Sequence, residues 1–177
     1  YYIPLCYIST CCVYGTQTKF PTSEEALPNP TEIYGATKLM GEYLVKLLPK
    51  WVILRYGTVI GPEMREALAT HIFLTSAIKK ESFPVKGTGN QTRTWIYIDD
   101  LINATILAME KDINHEIINV AGPESLTIRD VCHYCQKIVN DSSVISLDYL
   151  PAREGDTFHE EIDISKAERI LGWKPQI

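Results

Sequence analysis

Two residues with the spacing for proton chemistry stand in the segment Tyr34-Gly35-Ala36-Thr37-Lys38, and a hydroxyl pair, Ser9-Thr10, ends an apolar stretch upstream of them. On a helix, side chains four apart project from one face, a turn from each other. A lysine ammonium beside a phenol favours the phenolate and lowers a tyrosine pKa from its ordinary value of about 10. Such a tyrosine can take or give a proton at a carbinol, while Thr10 holds the same oxygen in place. That is the proton half of a hydride-transfer site, whose other half would be a nicotinamide cofactor. Alone, a Tyr and a Lys one turn apart are more commonly a half-buried ring and a solvated cation. The pair gains weight from its setting: strand, loop, helix and then the apolar strand Trp51-Val52-Ile53-Leu54-Arg55, the order of a wound α/β sheet.

The elements that must hold these residues are readable from periodicity and punctuation. Strands are expected at 5–9, 51–55, 84–86, 92–98, 116–120 and 144–147. Helices are expected at 31–48, closed by Pro49, and at 66–80, 99–111, 127–139 and 165–171, the last ended by Gly172. Asp99 or Asp100 is the expected cap of the 99–111 helix. The strand 51–55 is apolar throughout, which predicts burial on both faces. Pro62 marks a switch of composition and an expected crossover between domains.

Composition narrows the classes. The chain has 177 residues, 45% hydrophobic and 22% charged, as in a globular domain with a sizeable core. A net charge of −5 and the lack of a basic run argue against a nucleic-acid partner. No stretch is long and apolar enough to span a membrane, and no signal peptide is evident. The five cysteines are an odd number and suggest reduced thiols in the cytoplasm. Cys132-His133-Tyr134-Cys135 has the spacing of half a zinc site, but no second ligand pair accompanies it. It reads instead as one turn of an amphipathic helix with Val131, Cys135, Ile138 and Val139 inward, and no metal is expected.

Seven segments in order carry a resemblance: Ser9-Thr10-Cys11-Cys12-Val13-Tyr14-Gly15, Tyr34-Gly35-Ala36-Thr37-Lys38, Leu54-Arg55-Tyr56-Gly57-Thr58-Val59-Ile60-Gly61-Pro62, Gly87-Thr88-Gly89-Asn90-Gln91-Thr92-Arg93, Tyr97-Ile98-Asp99-Asp100, Arg153-Glu154-Gly155-Asp156 and Asp163-Ile164-Ser165-Lys166-Ala167. Over residues 7–175 the chain resembles the NAD-dependent epimerase/dehydratase family, extended short-chain dehydrogenases that act on nucleotide sugars. The resemblance implies an α/β fold: the C-terminal part of a Rossmann-like parallel sheet with a smaller α/β substrate-binding domain. Residues 1–62 would belong to the NAD-binding domain, with about 92–121 returning to it, and 63–177 mainly to the nucleotide-sugar domain. The family's Gly-rich dinucleotide turn has no counterpart here, since Gly87-Thr88-Gly89 precedes a strand rather than a helix. The expectation is therefore a piece of a longer enzyme, inactive as 177 residues alone.

The resemblance also implies roles. Tyr34 would be the catalytic acid and base, Lys38 would hold its pKa and the nicotinamide ribose, and Thr10 would orient the sugar oxygen. Ser9 and Tyr56 would lie at the cofactor, and Thr58 would contact the sugar-nucleotide phosphate where many members carry Asn. Arg93 and Arg153 would grip the pyrophosphate, for which the guanidinium fork is suited. Asp156 would contact the nucleotide ribose, while Pro84 and Lys86, alternate residues on one strand face, would sandwich the base. NAD is the expected cofactor, with NADP left open, and the expected substrate is a UDP-hexose bound by a homodimeric parent.

Cys11 and Cys12 bear on the reaction. Members that eliminate water from C5 and C6 carry Asp-Glu there, and decarboxylases carry Glu at the second position. A thiol, with an ordinary pKa of about 8.5, is a poor substitute for a carboxyl. Epimerisation at C4 needs neither group, so a UDP-hexose 4-epimerase is the leading expectation. A dehydratase or reductase of the same family, and a non-catalytic NAD(P)-binding relative, are the alternatives.

Overall fold

A computed structural model describes residues 3–139 and 146–177. Strand β2 (Trp51–Tyr56) lies between β1 (Leu5–Thr10) and β6 (Glu116–Val120) in a parallel sheet of order β1-β2-β6. Its run of apolar side chains is buried from Trp51 through Leu54 because both faces are covered. The helices α1 (Ile33–Val45) and α3 (Ile98–Glu110) supply those covers, α1 packing along β1 and α3 against β2. A core of Leu54, Ile118, Val120, Ala104 and Trp173 joins β2, β6 and α3 to the terminal helix α5 (Ser165–Leu171).

After β2 the chain enters β3 (Thr58–Ile60), which pairs in parallel with β5 (Thr92–Tyr97), itself antiparallel to β7 (Ser125–Thr127). A second core packs α2 (Ala69–Lys79) against α4 (Ile128–Ile138) and β4 (Phe83–Lys86) through Phe73, Phe83, Val85, Val131 and Cys135. Strand β4 pairs in parallel with β8 (Leu147–Leu150). The start of α4 is fixed by a reciprocal cap: Thr127 accepts from the Asp130 N–H, and the Asp130 carboxylate accepts from the Thr127 N–H. No described helix is long and apolar enough to cross a membrane.

Several expected boundaries move. The helix expected at 31–48 is shorter, since residues after Val45 form tight turns well before Pro49. The α3 cap is not Asp99 or Asp100: Tyr97 holds the capping position, and the Asp100 carboxylate instead accepts the backbone N–H groups of Gln176 and Ile177. In α4 it is Cys132, not Ile138, that faces inward; Ile138 is 69% exposed. Of the strand expected at 144–147, residues 144 and 145 lie outside the described residues, and the strand observed begins at Leu147. The short strands β3 and β7 are too brief for an alternating pattern to declare them.

Candidate active site

Thr10 closes β1 and caps the single 3-10 turn that follows (Cys11–Val13), its hydroxyl oxygen accepting the Cys12 N–H at 3.2 Å. Tyr34 stands in the first turn of α1, half exposed, where its ring can meet a ligand. Helix α1 approaches β1 closely because two positions lack a side chain. A Cβ at Gly35 would lie 2.6 Å from the Cys12 carbonyl oxygen, and one at Gly41 would lie 2.0 Å from the Tyr7 hydroxyl.

The electrostatics at Tyr34 correct one expectation. Its pKa is raised, not lowered: partial burial is the largest cause, and Cys12 and Glu32 add to it, whereas the Thr10 hydroxyl and Arg65 pull the other way. Lys38 is not the group that tunes the phenol. Its ammonium donates to the Ile8 carbonyl at 2.8 Å and lies 5.3 Å from the centre of the Tyr7 ring. A fixed carbonyl on the edge strand offers an ammonium a better partner than a neutral phenol does.

Beneath this surface lies a buried polar network that the residue types alone did not reveal. Glu42 and Arg55 are 0% and 1% exposed. Arg55 donates from Nε and Nη2 to the two Glu42 carboxylate oxygens at 2.9 and 2.6 Å, and the Ser9 hydroxyl donates to the first at 2.6 Å. The Arg55 guanidinium stacks 4.7 Å from the centre of the Tyr14 ring, and the Tyr14 hydroxyl donates to Asn119 Oδ1 at 2.7 Å. Burial works against the Arg55 charge, but hydrogen bonds to Glu42 and Tyr14 outweigh it and hold the guanidinium firmly protonated. Ser9, expected at the cofactor, spends its hydroxyl on Glu42. Tyr56, also expected there, has its hydroxyl 2.6 Å from Thr105 Oγ1 on α3. The signal that could have exposed the pair is an arginine ending an otherwise apolar central strand: such a charge needs a buried partner.

The two thiols next to Thr10 are not carboxyl surrogates. Burial pushes Cys11 well up, and its sulfur faces the Arg55 carbonyl at 3.5 Å. Burial also raises Cys12, against the Thr10 hydroxyl; Glu160 and Glu32 raise it further. Both are neutral at physiological pH. Cys132 and Cys135 are buried in the α4 core, pushed by burial to about 12 and about 11. Among the described residues no three His, Cys, Asp or Glu side chains group as metal ligands.

All six residues expected at the substrate line one cleft: Thr58, Pro84, Lys86, Arg93, Arg153 and Asp156. The cleft is also lined by Trp95 and by the buried Phe73 and Gln91, which the sequence reading did not select. It encloses a cavity of about 230 Å³. Arg93 and Asp156 meet each other here, Nη2 to Oδ1 at 2.5 Å, and Arg93 Nη1 donates to the carbonyls of Thr92 and Thr157 at 2.6 and 2.7 Å. The segment carrying Asp156 is tied back to the catalytic side, Thr31 donating its hydroxyl to the Gly155 carbonyl at 2.6 Å just before α1 begins. Glu160 is partly buried near Arg93, and one of its oxygens accepts the Thr94 N–H at 2.9 Å. Burial raises its pKa despite that bond.

A parallel sheet whose β1 and β2 end side by side at Thr10 and Tyr56, with α1 and α3 packed on it, defines an α/β protein, a class in which ligands bind at the carboxyl ends of the strands. Residues 3–121 match the model of the NAD dependent epimerase/dehydratase family, and the chain belongs to it. A putative UDP-glucose 4-epimerase of Methanocaldococcus jannaschii is 31% identical over 173 residues, covering 93% of this chain and 55% of that protein. Among solved structures, the UDP-glucuronic acid 4-epimerase of Bacillus cereus, in complex with UDP-glucuronic acid and NAD, superposes with a TM-score of 0.90 at 36% identity. The match covers 97% of this chain and 56% of that one. The UDP-glucose 4-epimerase of Thermotoga maritima, with UDP-glucose, superposes with a TM-score of 0.89 at 30% identity, covering 97% and 58%. The chain spans about half the length of the curated relatives it matches, 54% and 55% of the first two.

Proposed function

We propose that the full-length protein is a nucleotide-sugar 4-epimerase that uses NAD and takes a UDP-hexose. The observation that supports the reading is the placement of Thr10 at the end of β1 and Tyr34 in the first turn of the adjacent α1, close enough for the threonine hydroxyl to pull the phenol's pKa down, with thiols, not carboxyls, at positions 11 and 12. The groups at the strand ends fit a nicotinamide ribose: a half-exposed phenol and an ammonium one turn apart on α1, above a sheet edge where two parallel strands finish. NAD, when bound there, supplies reversible hydride acceptance at the sugar C4.

This chain's residues perform the rest. Tyr34 takes the proton from the C4 hydroxyl as that carbon is oxidised, and returns it to the same oxygen when the carbon is reduced on its other face. Thr10 donates to the reacting oxygen and holds it against Tyr34. Lys38 lies close enough along α1 to reach a ribose diol once its ammonium leaves the Ile8 carbonyl. Across the cleft, Arg93 and Arg153 neutralise the pyrophosphate, Asp156 faces the nucleotide ribose, and Pro84 and Lys86 flank the base. Helix α1 leaves Ile33, Met40 and Leu44 exposed, and Leu47 is exposed just past its end, which supports a homodimer, and five free thiols suit a cytoplasmic location.

One observation favours a second reading. Glu32 stands near enough to the Cys12 thiol to help raise its pKa, so one carboxylate does lie close to this edge. Elimination of water needs an acid and a base, which keeps the dehydratase behind the epimerase. The test is product analysis of the full-length protein with UDP-glucose. UDP-galactose, with no net change in NADH absorbance and no 4-keto-6-deoxy sugar, is the expected result. The dehydrated keto sugar as main product would overturn the epimerase reading.

A further inference from the structure

We propose that Glu42 and Arg55 are positioning residues for proton transfer: together they set how far and at what rotation α1 presents Tyr34 to Thr10. The proposal rests on the reading of Tyr34 as the proton carrier. Tyr34, Lys38 and Glu42 are successive i, i+4 positions on one face of α1, so the placement of Glu42 dictates the placement of the phenol. The Glu42 carboxylate is gripped by three donor contacts, one from Ser9 and two from Arg55. Ser9 and Arg55 are register partners across β1 and β2, and each immediately precedes a residue at the strand ends, Thr10 and Tyr56.

Two-point attachment separates this anchor from the other contacts of α1, the single hydrogen bonds from Lys38 to the Ile8 carbonyl and from the Tyr7 hydroxyl to the Lys38 carbonyl included. The close approaches at Gly35 and Gly41 let the helix sit near β1, but steric contact tolerates sliding and rotation. A guanidinium fork on a carboxylate fixes both, because its two hydrogen bonds are parallel and coplanar. The fork is itself held on its far side by the Tyr14 ring, whose hydroxyl is tied to Asn119 on β6. Tyr14 follows the turn that begins at Thr10, so one network grips the helix carrying the proton carrier and the turn carrying its hydroxyl partner. Stability alone does not explain the pair. Apolar side chains of similar volume commonly replace a buried ion pair with no loss of folding free energy, since desolvation offsets much of its attraction.

That equivalence supplies the test. In the full-length protein, the apolar double variant Glu42→Leu with Arg55→Met and the near-isosteric Glu42→Gln are compared with wild type. Three quantities are read: UDP binding by calorimetry, kcat and KM with UDP-glucose, and the ionisation of Tyr34 by ultraviolet difference titration against Tyr34→Phe in each background. Tyr7, Cys12, Glu32, Arg65 and Lys38, the other charged or titratable groups around the phenol, are unchanged in every variant. We expect folded variants that bind UDP as wild type does, KM unchanged, and kcat lower by roughly ten-fold or more, since displacement of a catalytic group by about 1 Å can cost up to 10²-fold. The Tyr34 titration should move further up as the Thr10 hydroxyl stops donating to the phenolate. A folded variant with wild-type kcat, or an unmoved titration, overturns the proposal, as does failure of both variants to fold, which would make the pair a stability element. The titration is read without substrate. A wild-type protein that does not epimerise UDP-sugars would therefore sink the functional reading and leave the titration to decide this one.

Discussion

The two ends of the site are held by opposite means. Around Tyr34 the anchors lie inside the protein: Glu42, Arg55, Ser9 and Asn119 are all buried and bonded to one another or to backbone. Around the cleft proposed for the nucleotide the anchors lie on loops and strand ends, and the Arg93–Asp156 pair is partly open to water. The difference separates two demands. Proton transfer tolerates little displacement, so its groups are mounted on the core. Recognition of a charged diphosphate tolerates more, because a guanidinium can follow an anion, so its groups are mounted where side chains can rearrange. The Arg93–Asp156 pair illustrates this: each partner occupies the other until a phosphate competes for the arginine.

Breaking the catalytic end at its centre should have the largest effect. Tyr34→Phe in the full-length protein should lower turnover by about 10³-fold or more while calorimetry shows UDP binding nearly unchanged, because it deletes a proton carrier and little area. Turnover like that of wild type would remove Tyr34 from the mechanism. Next, thermal or urea unfolding should separate the two ion pairs. Glu42→Ala leaves a buried guanidinium without its partner and should cost about 3–5 kcal/mol. Asp156→Asn, at the partly exposed pair, should cost less than about 1 kcal/mol. Equal costs would erase the contrast between the two regions.

A smaller effect should come from the cleft. Arg93→Ala should weaken UDP binding by about 10- to 100-fold, the value of a hydrogen bond to a charged group, and lower kcat far less. A loss confined to kcat would place Arg93 at the reaction rather than at the phosphates. The smallest effect should come from Glu160→Gln. The folded-state pKa of Glu160 lies above its unfolded value, so the stability its protonated form contributes is complete below the unfolded value. It is lost as pH rises through the folded value. Glutamine keeps an acceptor for the Thr94 N–H without the buried charge. The variant should match wild type near about pH 4, where an ordinary glutamate protonates, and melt higher toward neutrality. A wild-type advantage at neutral pH would mean that Glu160 is stabilised as a carboxylate.

What was legible in the sequence follows the same division. The cleft residues were named through the family resemblance, whose motifs fix their positions whatever lies beneath them, and all six line one cavity. The central strand was legible from its apolar run, and α5 from the Gly172 that ends it in the left-handed conformation. The Glu42–Arg55 network was only half legible: an arginine in an apolar central strand calls for a buried partner, but nothing in the α1 sequence marks Glu42 as that partner until the tertiary fold brings the two together. That Lys38 bonds elsewhere than at the phenol in this structure was illegible for a related reason. Helical spacing places two side chains on one face but does not choose their partners, and the Ile8 carbonyl lies within reach.

The central claim is that C4 is oxidised and reduced within one closed site while Tyr34 handles only the proton on oxygen. The most direct measurement follows UDP-glucose labelled with deuterium at C4 through the full-length protein, with the product read by NMR and mass spectrometry. The account predicts UDP-galactose with the deuterium still on C4 and no exchange with solvent. Deuterium lost to water, or a product lacking the C6 oxygen, would contradict it.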